Sequence, residues 1–182
     1  MIKIFSKILR TSKTIAPVNQ ADLDRIEIIA LGEKIQNKVK RLFKGSLAIR
    51  QVDAGSDNAC EQELVALSNP FYDVERFGIH FVASPRHADM LLVTGPVTRN
   101  MAEALKRSYE ATPDPKIVVT LGDDALDGGL YKGSYAVLDG AHGVIPVHYH
   151  IAGDPPSPMT ILYHFLKILD TIDNKEAATK GV

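Results

Sequence analysis

The residues of this chain able to do chemistry are mostly aspartates, with one thiol among them. Asp57 stands three residues before Cys60, which is followed directly by Glu61. Asp123, Asp124 and Asp127 lie between Gly122 and Gly129, and Asp154 follows Gly153. Oxygen donors of this kind suit magnesium, calcium or manganese, or they handle protons. The lone cysteine excludes an internal disulfide and a Cys-rich zinc site. No His–Asp arrangement accompanies it, so a buried, unreactive side chain is a better reading than a nucleophile. The six histidines, at 80, 87, 142, 148, 150 and 164, show no ligand spacing such as HExxH. His148 and His150, two apart in an extended stretch, share one face and read as satisfied histidines at the end of a sheet. Gly128-Gly129 comes without a Walker or GxGxxG pattern and reads as a tight turn needing positive φ.

These groups need elements to position them. The 182 residues, 45% hydrophobic and 24% charged, suffice for one domain with a real core. A formal net charge of −1 gives no argument for nucleic acid. No apolar run reaches the length that spans a bilayer. Near the start, Ile2, Phe5, Ile8 and Leu9 fall on one helical face opposite Lys3, Lys7 and Arg10. Such a helix would pack on a partner, bridge solvent or lie on a membrane surface. The stretch lacks a long apolar core and a cleavage site, which argues against a signal peptide. A second helix is predicted over Asp22–Phe43, ended by Gly45.

From Ser46 strands and helices alternate. Buried strands are predicted at Leu47–Val52, Ile79–Val82, Met90–Thr94, Ile117–Leu121 and Val144–Tyr149. Helices are predicted at Glu61–Leu67, Arg99–Ala111 and Met159–Leu169. The expectation is a flavodoxin-like, mostly parallel sheet with helices on both faces, preceded by N-terminal helices. The organisation read from this is 1–45 for partner or membrane contact and 46–182 for the α/β domain with its tail. In such folds function gathers beyond the carboxyl ends of the strands. The loops there are Asp53–Cys60, Gly122–Gly129 and Ala152–Pro158.

Those loops carry a resemblance. The stretch Asp57-Asn58-Ala59-Cys60-Glu61 resembles the Cys-Asn-Gly-Cys-Glu loop of the cluster-carrying small subunit of membrane-bound [NiFe]-hydrogenases and of the 20 kDa subunit of respiratory complex I. Asn69–Ile79, Ala83–Asp89 and Thr94–Met101 are similar to that family as well. Gly122–Gly129 resembles its Gly-x-Cys-Ala…Gly-Gly loop, and Ala152–Pro158 its Pro-Gly-Cys-Pro-Pro-x-Pro loop. The resemblance runs from about Gly45 to Leu169, and the Asp57/Cys60 spacing favours the hydrogenase and formate-hydrogenlyase branch.

The resemblance implies a [4Fe–4S] cluster held by four thiolates, with partners in a hydrogenase-like large subunit and a membrane arm that translocates protons or ions. It also implies a peripheral place at the cytoplasmic face of the inner membrane. Here Asp57, Asp124 and Asp154 stand at three of the four cysteine positions, and only Cys60 remains. Three carboxylates about 6 Å apart would repel by about 3 kcal/mol per pair at an effective dielectric near 20. That sum approaches the stability of a whole domain. Protonation, a cation among the carboxylates or a wet pocket would resolve it. The expectation is a docking subunit with a degenerate cluster site and no cofactor. The alternatives are a divalent cation, a proton-handling carboxylate cluster, or an electron-transfer subunit with an atypical iron–sulfur centre held partly by Cys60.

Overall fold

The computed structural model describes residues 20–180, so the amphipathic segment Ile2–Leu9 lies outside the described residues. Helix α1 (Gln20–Phe43) buries Ile28, Ile35 and Val39, which recur at helical spacing along one face. That face packs along helix α5 (Pro158–Lys180), where Ile161, Leu162, Phe165, Ile168 and Leu169 are buried. Lys38 pairs with Asp170 and, at 3.2 Å, with Asp173, which also takes Arg41. These pairs hold the turn of α5 just past Leu169, the predicted end, and the helix continues to Lys180. Lys44, not Gly45, takes the left-handed conformation after α1, with φ 56.

Five strands follow: β1 (Leu47–Asp53), β2 (Ile79–Phe81), β3 (Met90–Thr94), β4 (Ile117–Leu121) and β5 (Tyr149–Ile151). All pairings are parallel and the order is β2-β1-β3-β4-β5, the flavodoxin-like arrangement. Side chains alternate between two cores. Leu47, Ile49, Met90, Leu92, Val119 and Leu121 join the larger core with α1, α5 and helix α2 (Ala59–Leu67). Val52, Leu91, Val93 and Val118 join the smaller one with Leu105 of helix α3 (Arg99–Ala111). The last strand begins later than predicted. A 3-10 turn at Ala141–Gly143 and Pro146, which has no N–H to give a ladder, occupy the approach. Pairing starts where His148 N–H donates to Val118 O at 2.9 Å. The predicted loop Gly122–Gly129 contains a short helix α4 (Asp123–Asp127), closed by Gly128 at φ 90 and Gly129 at φ 46.

Candidate functional site

Three loops beyond β1, β4 and β5 build the site. In the first, Asp53 Oδ1 accepts from the N–H groups of Gly55 and Ser56, each at 2.8 Å. Asp57 Oδ1 then accepts from Ala59 N–H at 2.9 Å, and the chain enters α2 with Cys60 in its first turn. Gly95, at φ +79 after β3, lets this loop pass: a Cβ there would lie 2.5 Å from Ser56 N. The other two loops are stitched together. Gly122 N–H donates to Ile151 O at 2.9 Å and Asp123 N–H to Gly153 O at 3.0 Å. Gly153 N–H returns a bond to Asp123 Oδ1 at 3.0 Å.

Gly122 faces Cys60 so closely that a Cβ would sit 2.6 Å from its Sγ. The thiol is buried and pushed up to about 12, first by burial, then by the charges of Glu61, Asp154, Asp57 and Asp124. The four positions singled out by the sequence therefore share one neighbourhood. Asp57 and Asp154 are exposed at its mouth, while Asp124 is only 7% exposed. Burial raises the Asp124 carboxyl, Asp154 adds to the shift, and a backbone bond from Leu130 opposes it. Its Oδ1 is buried with no hydrogen-bond partner. None of Asp57, Asp124 and Asp154 forms an ion pair among the described residues, where Lys132 instead holds Asp127 at 2.7 Å. Lys132 keeps the Asp127 carboxyl below its ordinary range.

Sequence reasoning missed a buried polar group beside this pocket. The Thr94 hydroxyl bonds Glu61 Oε1, Gln51 Nε2 lies 3.3 Å from Thr94 Oγ1, and Glu61 Oε2 is buried without a partner. A cavity of about 240 Å³ opens there, lined by Gln51, Glu61, Leu64 and Phe81 among others. The available signal was Gln51 and Thr94 on the strand face that otherwise carries Leu47, Ile49, Met90 and Leu92 into the larger core. Both late histidines address β4. The His148 ring accepts from Val118 N–H at 2.9 Å, and His150 Nδ1 lies 3.0 Å from Thr120 Oγ1. His150 Nε2 is 3.7 Å from Asp123 Oδ1, and burial lowers its pKa against the pull of Asp123.

An open parallel α/β domain with its polar groups gathered past the carboxyl ends of β1, β4 and β5 defines the class. The chain belongs to the family of the NADH ubiquinone oxidoreductase 20 kDa subunit, whose sequence pattern matches residues 58–168. It is 40% identical over 148 residues to formate hydrogenlyase subunit 7 of Escherichia coli, covering 81% of this chain and 56% of that one. It is 39% identical over 143 residues to the probable membrane-bound hydrogenase subunit mbhJ of Pyrococcus furiosus, covering 77% and 86%. A chain of the archaeal membrane-bound sulfane sulfur reductase complex superposes with TM-score 0.65 and 34% identity, over 79% of this chain and 78% of that one. A chain of an NAD+-reducing [NiFe]-hydrogenase, 17% identical, shares the fold with TM-score 0.54.

The donor set does not fit the [4Fe–4S] cluster implied by the resemblance. Such clusters are held by thiolates. This pocket offers one thiol, Cys60, and three aspartates. Nor do any three His, Cys, Asp or Glu among the described residues stand close enough to grip one metal ion.

Proposed function

We propose that this chain is a docking subunit of a membrane-bound, complex I-like or energy-converting-hydrogenase-like assembly, seated peripherally between a hydrogenase-like large subunit and a membrane arm. It carries no electron path of its own. The observation that carries the reading is the pocket itself: the fold and the three loops are kept, while three of the four ligand positions hold aspartate. The relatives named above support the setting, since they are subunits of a formate hydrogenlyase, a membrane-bound hydrogenase and a respiratory membrane complex. No helix among the described residues is long and apolar enough to cross a membrane, in keeping with attachment through partners. Leu130 and Tyr135, 87% and 90% exposed on the segment that follows Asp124, give such a partner apolar surface.

The test is iron and acid-labile sulfide in the purified complex, with its visible spectrum. After subtraction of clusters held by other subunits, none should remain for this chain. About four irons and four sulfides per chain would overturn the reading in favour of an electron-transfer subunit whose centre hangs on Cys60.

A further inference from the structure

We propose that Arg99, Leu130 and Tyr135 anchor the docked large subunit, and that the matching surface there is an apolar hollow with an aspartate or glutamate carboxylate at its edge. The inference rests on the docking reading and names the residues and the chemistry of the contact. Of the eight large apolar side chains exposed among the described residues, four (Leu126, Leu130, Tyr131 and Tyr135) fall within ten positions. Single exposed apolar residues are ordinary, whereas a concentration of them marks a contact surface.

The segment 128–140, which carries Leu130 and Tyr135, is pinned along its length. Gly133 N–H donates to Asp139 Oδ1 at 2.7 Å and Arg99 N–H to Ala136 O at 2.9 Å. Leu138 N–H donates to Val97 O at 2.9 Å and Gly140 N–H to Pro96 O at 3.1 Å. Val97, β-branched and buried, takes φ 56 at the base of the segment, a costly conformation that these bonds hold in place. None of this buries Leu130 or Tyr135. Holding them in order does nothing for the core, but it lowers the entropy lost when a partner covers them.

Arg99 supplies the charge. Its Nε donates to Tyr135 O at 2.6 Å, which fixes the guanidinium beside the loop. It forms no ion pair among the described residues. It stands in the first turn of α3, where a cation opposes the helix dipole, so it does not serve the helix. An oriented guanidinium without a carboxylate suits one supplied by a partner, and Arg and Tyr are enriched at the centres of interfaces. A lipid surface fits less well, because Asp57 and Asp154 are exposed at the same end of the sheet and repel anionic headgroups.

The experiment compares wild type with Tyr135→Ala and Arg99→Gln, each as the full chain, alone and with the large subunit taken from the purified complex. Alone, Tyr135→Ala should melt with the wild type, because that side chain lies almost wholly outside the fold. Affinity for the large subunit should fall at least about tenfold in each variant. In Arg99→Gln the salt dependence of binding should flatten as well. Arg99→Lys, which keeps the charge without the planar fork, should recover the salt dependence but not the full affinity. Wild-type affinity in either Tyr135→Ala or Arg99→Gln overturns the inference and leaves the docking reading intact. A wild-type chain that binds no large subunit overturns the docking reading itself. Dimerisation of the wild-type chain that is lost in Tyr135→Ala gives the loop to a second copy, and binding to phosphatidylglycerol vesicles lost in the same way gives it to a membrane. Either result overturns the inference.

Discussion

Along the seam between α1 and α5, Lys38 meets Asp170 and Asp173, and Arg41 meets Asp173. Past the carboxyl ends of β1, β4 and β5, Asp57, Asp124 and Asp154 meet no cation among the described residues, and one oxygen of Asp124 meets no donor at all. The seam is a region where folding alone matches each charge and surrounds it with packed aliphatic side chains. The pocket is a region where folding leaves like charges together beside a buried thiol. A burden of that kind lowers the stability of the folded chain, and exposure of Asp57 and Asp154 to solvent and the raised pKa of Asp124 relieve part of it.

That contrast can be broken at several points. The largest effect belongs to the seam: Phe165→Ala should cost about 3–5 kcal/mol in urea denaturation, since Phe165 is fully buried among both helices and the sheet. Docking strength per folded chain should not change. Next comes Gly122→Ala, where the residue sits at φ +89 and the added carbon would meet Cys60 Sγ at 2.6 Å. A loss of about 1–3 kcal/mol is expected, and adding Cys60→Ala should recover part of it in a double-mutant cycle. Full additivity would mean that the thiol and the β4 loop are not in contact.

Stability against pH separates two groups within the pocket. The Asp124 carboxyl is raised by burial and by Asp154, so above the ordinary 3.8 the folded state holds a proton that the unfolded state has lost. Stability should fall as pH rises through that window, and Asp124→Asn should remove the slope. His150 is lowered from 6.5 by burial, so just below that pH the unfolded state binds the extra proton. Stability should rise with pH there, level off above 6.5, and lose the slope in His150→Gln. The smallest effect returns to the seam. Lys38→Ala should cost about 0.5–1 kcal/mol, because Asp170 is still 45% exposed to screening solvent.

Much of this is legible in the chain itself. The run Met90–Thr94 and the run Ile117–Leu121 match β3 and β4 at both ends, because a buried parallel strand is apolar throughout and bounded by polar turns. The edge strand β5 is misplaced by pattern alone because Val144, Ile145 and Val147 look like a strand, while Pro146 and the preceding 3-10 turn keep them out of the ladder. Helix α5 reads too short because the turn just past Leu169 is held by distant charges on α1, and no local pattern reports a lysine 135 residues away. In the pocket, the aspartates are visible from their place in the loops. The unpaired Glu61 Oε2 and the reach of His150 toward Asp123 are not, since both depend on which strand lies beside which.

The two outer strands of the sheet, β2 and β5, are each three residues long. An edge so short exposes few free backbone groups and makes a poor template for a foreign strand. Assembly by strand addition is thereby discouraged at both borders, as is runaway edge-to-edge polymerisation of the free chain.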